Sequence, residues 1–276
     1  MISPLAHVDP SAKIGANVTI HPFAYIDKDV EIGDGCEIKP YASVLAGTRM
    51  GKDNKVYQGA IIGAEPQDFR WKGCHSLCII GDGNTIRENV IINRSIVEDG
   101  STIIGDGNFI MAKCHIGFAS YARVMSKCHI GHDSRIAGKC VIGNGVTIAG
   151  DCEVDECTIL SSNVVVHENS RIGKWVLVKG GCRIAGNVPP YIIVAHNPVA
   201  YYGVNAFVMR KNGFSEHQIS EIAKAYRNVY QSGISVYNAM QRIEADVEPS
   251  ETRSEILRFI RSNNLRVVAL PVDLLD

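Results

Sequence analysis

A spacing of six residues dominates this sequence. Aliphatic side chains stand at Ile2, Val8, Ile14, Ile20, Ile26, Ile32, Ile38, Val44, Met50, Val56 and Ile62, eleven consecutive hits in one phase. If one position in three were aliphatic, such a run would arise with a probability on the order of 10^-5 per starting point, so chance is a poor account. Four residues after most of these stands a small or short side chain, as at Ala6, Ala12, Val18, Ala24, Cys36, Ala42 and Ala60, and glycine often follows the aliphatic residue directly.

A helix buries residues at a period of 3.6 and a strand at 2.0, so neither explains a period of six. Strands of a few residues joined by tight corners, three to a triangular turn, place one large aliphatic and one small residue inward on each side. The expected fold is therefore an all-β solenoid, a parallel β-helix of hexapeptide repeats in which each coil covers the apolar floor of the next. Its left-handedness is implied by resemblance to known hexapeptide solenoids and not by the spacing.

The phase continues through Ile80, Ile86, Ile92, Ile104, Ile110 and Ile116, with loops expected at roughly 64–79 and 95–102. It then slips by two and resumes at Ile130, Ile136, Ile142, Ile148, Val154, Leu160, Val166, Ile172, Val178 and Ile184. The slip has a visible cause: IMAKCHIGFAS from Ile110 and VMSKCHIGHDS from Val124 are near copies, fourteen residues apart. Fourteen is two hexads plus two, so the extra copy is expected to loop out between about 112 and 127. The second copy is expected to stay in the wall. Counting 26 occupied hexads predicts about nine coils and a prism about 40 Å long.

The period ends near Pro189 and Pro190. From Ser215 the apolar residues Ile219, Ile222, Ala223, Tyr226, Val229 and Tyr230 recur at helical spacing, with Ser215 as N-cap. Further helices are expected around 234–246 and 250–263, the latter capped by Ser250, and the tail LRVVALPVDLL reads as an extended strand. The chain thus divides into a left-handed β-helix over 1–190 and a C-terminal helical domain over 191–276, which is expected to cap the solenoid and protect its open edge.

With 28 basic against 29 acidic residues, a net charge of -1 argues against a chain built mainly to coat nucleic acid. No stretch approaches the ~20 apolar residues of a membrane span, and the start MISPLAHVDP lacks a leader pattern, so a cytoplasmic location is expected. Nine cysteines without a disulfide framework fit a reducing compartment.

Cys36, Cys114, Cys128, Cys140, Cys152 and Cys182 fall at the small inward position and read as core residues. Cys74, His75 and Cys78 have chelate-like spacing in an expected loop, but only three ligands are in view. His129 and His132 bracket Ile130, and Asp133 follows; outward on a wall, these side chains are free to meet a substrate or a neighbouring subunit. Phe118 stands in the first copy where His132 stands in the second. On the residues alone, three readings stay open: an acyltransferase with one His as general base, a zinc hydratase of the γ-carbonic anhydrase type, and a non-catalytic scaffold.

Longer motifs add to this. PQDFRWKG at 66–73, IGDGNTIREN at 80–89, NR at 93–94, GDGNFIM at 105–111, CHIGHD at 128–133, NVPPYII at 187–193 and YGVNAFVMRKNGF at 202–214 together resemble the UDP-N-acetylglucosamine O-acyltransferase family over nearly the whole chain. The resemblance implies a homotrimer with its active site in the cleft between solenoids and no metal or organic cofactor. The implied reaction moves an R-3-hydroxyacyl group from acyl carrier protein to the 3-hydroxyl of UDP-N-acetylglucosamine, the first step of lipid A synthesis.

By that resemblance His132 is the general base, Asp133 orients or charge-stabilises it, and the Gly150 backbone N–H is the oxyanion donor. Asp68, Arg70, His129, His167, Asn205, Arg210 and Lys211 match substrate-binding positions. Arg70 stands where Lys is usual and Lys211 where Arg is usual. Asp151 replaces a His, Glu168 replaces a Gln in the substrate region, and Phe207 replaces an acidic residue. These departures and the duplication raise a diverged paralogue, with N-acyl transfer to a related amino-sugar nucleotide as the alternative within enzymes.

Overall fold

The structure is a computed structural model that describes residues 1–67, 71–116, 123–131, 134–264 and 267–268. Strands of mostly two residues, such as Lys13–Ile14, Thr19–Ile20 and Tyr25–Ile26, follow one another at six-residue steps. In the two-residue strands the second residue is the aliphatic one, and from Ile20 onward it is buried wherever its side chain is described. Each strand pairs in parallel with the one a full turn later: His7 lies against Tyr25, Tyr25 against Ser43 and Ser43 against Ile61. Parallel register at one-coil spacing stacks like on like, so the inward aliphatics form a continuous column of apolar contact.

The period of six has a backbone cause. Three residues after each inward aliphatic the chain turns through positive φ, at Asn17, Phe23, Asp29, Gly35, Tyr41, Gly47, Asp53 and Gly59, eight corners in succession. Asn, Asp and Gly adopt this region most readily. Inside the prism, a ladder of buried asparagines bridges three successive coils: Asn54 Oδ1 accepts from Asn84 Nδ2 at 2.9 Å, and Asn84 Oδ1 accepts from Asn108 Nδ2 at 2.8 Å. The six inward cysteines expected in the core are all buried.

Three walls result. One is a ten-stranded sheet running from His7–Val8 to Arg183–Ile184. A second is an eleven-stranded sheet that begins at Thr19–Ile20 and ends at Ala200–Val204. The third is split into a five-stranded sheet, ending at Ser101–Ile104, and a three-stranded sheet that opens at Arg135–Ile136.

The split marks the duplicated segment, and here the expected loop-out is wrong. Phe109 and Ile110 pair with Arg123 and Val124 in the second wall, and His115 and Ile116 pair with His129 and Ile130 in the first. Both copies are coils of the solenoid, stacked directly on each other. The coil of the first copy keeps two full sides and passes from Ile116 to Val124 in eight residues, where twelve separate Ile130 from Ile142. Its third side falls on residues 117–122, outside the described residues, as does Phe118. Stacking wins because it pairs both strands of the copy on both edges and buries Cys114; a loop would leave those backbone groups and that thiol without partners. The same coil brings the first wall to ten strands against the nine coils expected.

At the far end Ile192–Ala195 continues the second wall in parallel with Leu177–Val178, and Ala200–Val204 folds back antiparallel. Four helices follow: α1 (Ala206–Lys211), α2 (Glu216–Tyr230), α3 (Val236–Asp246) and α4 (Glu251–Ser262). The sequence pattern does not show α1. Ser215 caps α2 in a full capping box with Gln218, while Ser235 and Ser250 cap α3 and α4. The buried Tyr226 hydroxyl donates to the Pro190 carbonyl at 2.6 Å, tying α2 to the last coil. Most of the tail read as a strand lies outside the described residues; within it the Val268 N–H donates to the Asn187 carbonyl at 3.0 Å. Among the described residues no helix is long and apolar enough to cross a membrane.

The ladder gives a stability prediction. Asn84→Ala removes the side chain that bonds both neighbouring rungs, and urea unfolding is expected to show a loss of about 1–3 kcal/mol. Asn144→Ala, on the exposed surface, should leave the midpoint where it is.

Candidate active site

The first wall presents an outward column in strict register: Ile91, His115, His129, Thr147, Val165 and Arg183. Just beyond this column the chain turns the corner from the first wall to the third. Gly131 and Ser134 and the corners 149–152 and 167–170 lie on this edge at successive coils, and the loop that follows Ile61–Ala64 leaves from the same edge. Residues 150 and 168 occupy equivalent places, each two residues after the inward Ile148 and Val166.

Glycine is needed at one of these corners. A Cβ on Gly131 would meet the Ala149 carbonyl carbon and the Gly150 nitrogen at 2.7 Å each, so only a bare Cα lets the two corners touch. The Gly131 N–H donates to the Ile148 carbonyl at 2.8 Å. The buried Ser134 hydroxyl donates to the Ala149 carbonyl at 2.7 Å and accepts from the Cys152 N–H at 3.1 Å. Both flanks of the pair at 132–133 are thus pinned to the Gly150 corner. His132 and Asp133 themselves lie outside the described residues, as do Asp68 and Arg70. Gly150 is buried, and no described residue accepts a hydrogen bond from its amide.

Next to this edge runs a chain of polar contacts. Asn93 Nδ2 donates to the Glu65 carbonyl, Asn93 Oδ1 meets His115 Nε2, and His115 Nδ1 lies 3.0 Å from His129 Nδ1. The two imidazoles sit 4.9 Å apart between ring centres. Burial, and then the neighbouring His129, hold the pKa of His115 below the usual histidine value. Asn93 and His115 were missed as site residues. Their signals were present, in the NR at 93–94 and in the histidine repeated at 115 and 129, but a looped-out copy would have placed His115 elsewhere.

His167 and Glu168 are exposed at the next corner, and Glu168 has no ion-pair partner among the described residues. Asn205, Arg210 and Lys211 lie on a different edge of the same prism. Asn205 is buried, and its Nδ2 donates to the carbonyl of Trp175, which belongs to the corner between the third and second walls; its Oδ1 is buried without a partner. Arg210 grips Glu216 with two hydrogen bonds, one at 2.9 Å, and the Lys211 ammonium lies 4.5 Å from the centre of the Phe207 ring. Among the described residues, the matched positions therefore fall in two groups: His129, Gly150, His167 and Glu168 on one edge, and Asn205 with Arg210 and Lys211 of α1 on another.

The spacing of Cys74, His75 and Cys78 does not become a metal site. Cys78 is an inward residue of the strand Leu77–Ile80, and burial pushes its thiol up to about 12. His75 Nδ1 is 3.0 Å from Asp99, and the Cys74 thiol donates to the Ile96 carbonyl. Among the described residues no cluster of three or more His, Cys, Asp or Glu side chains converges as metal ligands.

Known proteins resemble the chain along its whole length. The family described as "Udp N-acetylglucosamine O-acyltransferase; Domain 2" matches residues 187–268, and the one described as "GMPPB C-terminal domain" matches residues 2–108. The acyl-carrier-protein-UDP-N-acetylglucosamine O-acyltransferase of Halorhodospira halophila is 38% identical over 260 residues, covering 94% of this chain and 95% of its own. The same enzyme of Myxococcus xanthus is 37% identical, covering 95% and 96%. Among solved structures, the UDP-N-acetylglucosamine acyltransferase of Bacteroides fragilis has a TM-score of 0.81 at 42% identity, covering 98% of this chain and 100% of its own. That of Francisella novicida has a TM-score of 0.78 at 32% identity, covering 99% and 96%.

Fold, edge and likeness together define an acyltransferase built on a left-handed parallel β-helix with C-terminal helices. More narrowly, the chain belongs to the UDP-N-acetylglucosamine O-acyltransferase family.

The close approach at 131 is testable. Gly131→Ala forces the backbone at 131 away from that of Gly150, with a stability loss of about 1–3 kcal/mol in thermal unfolding. Ala149→Gly, which relieves nothing, should stay close to the parent protein.

Proposed function

We propose that the chain transfers an R-3-hydroxyacyl group from the thioester of acyl carrier protein to the 3-hydroxyl of UDP-N-acetylglucosamine, the first step of lipid A synthesis. One observation supports this reading: Gly150, matched to the oxyanion donor, stands on the same edge of the β-helix as His129 and His167, matched to substrate contacts, in a chain similar to such enzymes from end to end.

In this mechanism His132 takes the proton of the sugar hydroxyl as its oxygen attacks the thioester carbonyl, and Asp133 steadies the imidazolium that forms. The Gly150 N–H, which no described residue uses, meets the oxyanion of the tetrahedral intermediate. Collapse of that intermediate breaks the carbon-sulfur bond, and the thiolate leaves with the proton that His132 received. Asp68, Arg70, His129 and His167 hold the acceptor, with Glu168 beside them. Asn205, Arg210 and Lys211 complete the binding surface from the other edge.

Such a division across two edges supports a homotrimer, because neighbouring prisms face each other with different edges and close a cleft that one chain leaves open. In this reading the β-helix over 1–190 carries the catalytic edge and the segment from 191 onward caps its end, joined through the strand Ile192–Ala195. A cytoplasmic location follows from where acyl carrier protein and nucleotide sugars occur together.

His132→Ala is expected to lower kcat by about 10^2–10^4 while the protein keeps its unfolding midpoint and its affinity for UDP-N-acetylglucosamine. Full activity in a folded His132→Ala protein would refute the assignment. Offering the 3-amino analogue of the acceptor separates O- from N-acyl transfer: preference for the hydroxyl sugar supports the reading, and preference for the amine overturns it.

A further inference from the structure

The duplicated coil carries a residue that none of the matched positions includes. We propose that His115 is a positioning residue for the acyl-transfer site, holding His129 in the tautomer with its proton on Nδ1, so that His129 exchanges its proton at Nε2.

Backbone geometry sets the direction of the chain of bonds. The Glu65 carbonyl can only accept, so the Asn93 group facing it must be the Nδ2 amide, which turns Oδ1 toward His115. Oδ1 in turn can only accept, so His115 carries its proton on Nε2. Burial favours the neutral form of His115, and a neutral imidazole protonated on Nε2 has its lone pair on Nδ1. That lone pair faces His129 Nδ1 at 3.0 Å, and the contact is a hydrogen bond only if His129 donates from Nδ1. Flipping any member sets two acceptors or two donors against each other.

The extra coil makes this connection possible. Asn93 belongs to the coil that pairs with His115, and His129 to the coil after it. Two coils span about 9.6 Å, three times the reach of a hydrogen bond, so without the imidazole at 115 the amide and His129 have no link. Thr147, on the other side of His129, is neutral, and Lys113 and Lys127, at the preceding corners, are exposed. With the proton fixed on Nδ1, Nε2 is the nitrogen of His129 whose protonation changes: it accepts when neutral and donates when charged. This kinetic consequence rests on the acyl-transfer reading; the tautomer does not.

The test is NMR on whole protein labelled with ring-15N histidine, with the His129 signals assigned by their loss in His129→Asn. The expected wild-type spectrum has His129 Nδ1 protonated and Nε2 unprotonated above the pKa of the ring. In His115→Phe the tautomer should shift toward Nε2–H, and His115→Gln, which keeps a side-chain acceptor, should restore much of the original state. The kinetic arm expects kcat to fall about tenfold or more in His115→Phe with a much smaller change in KM, and to recover in His115→Gln. A wild-type His129 protonated on Nε2, or a His115→Phe protein with unchanged ring signals, overturns the proposal. If the wild type shows the expected tautomer but transfers no acyl group, the functional reading fails together with the kinetic role, and the assignment of the His129 tautomer to His115 stands. Should His115→Phe fail to fold, the wild-type spectrum and Asn93→Leu decide.

Discussion

The whole molecule depends on parallel backbone pairing between coils at the spacing of a β-sheet. Each strand contributes only two residues, so one coil has little to hold it; what holds it is the coil on either side, through aligned hydrogen bonds and the apolar column inside. Corners at positive φ every six residues keep that alignment from drifting. Phe23 and Tyr41 take this conformation without being residues that prefer it. Local propensity there yields to stacking, and their rings stack on each other at 5.3 Å between centroids outside the prism.

Stacking also explains what the sequence made legible and what it did not. The inward positions, the buried cysteines and the capped helices at 216, 236 and 251 could be read because each follows from a local pattern of one residue type at one spacing. The fate of the duplication could not. A rule that six residues make a side implies that fourteen cannot make a coil, but pairing demands only that strands meet in register. Two of the three sides of the first copy do, and the remaining eight-residue passage replaces twelve. Helix α1 escaped for the opposite reason. Six residues are too few for periodicity to show, and the helix is held by packing, with Met209 buried and Phe214 turned edge-on to Trp175 at 5.3 Å.

A solenoid positions side chains by counting. On the edge between the first and third walls each corner is set by the coil beside it, so a substitution acts first on the corner one coil away. Gly131, Ser134 and Gly150 are the contacts that turn this counting into geometry: a missing Cβ, a hydroxyl bonded in both directions, and an amide left for another use. Inserting one coil therefore shifts what lies on one side of it by a whole rung. The edge gains the His115 imidazole there, while the contacts of Gly131 and Ser134 with the 149–152 corner lie on the other side of His129.

The charges on α1 limit how the Glu168 carboxylate can be accommodated. Arg210 is bound to Glu216, and Glu216 is held below the usual glutamate range by that contact. Lys211 lies over the Phe207 ring, which is itself exposed. Both cations sit on a different edge from Glu168, so neither neutralises it within one chain. Exposed ion pairs of this kind are weak, so a diphosphate can draw Arg210 away from Glu216 at little cost. Lys211 can turn from the ring toward an anion for the same reason, since a cation over an exposed aromatic face gains little. Both cations are thus held only by weak surface contacts, which an anion can replace. Phe207 favours this, because its neutral ring gives the ammonium a surface to rest on without the charge of a carboxylate to bind it.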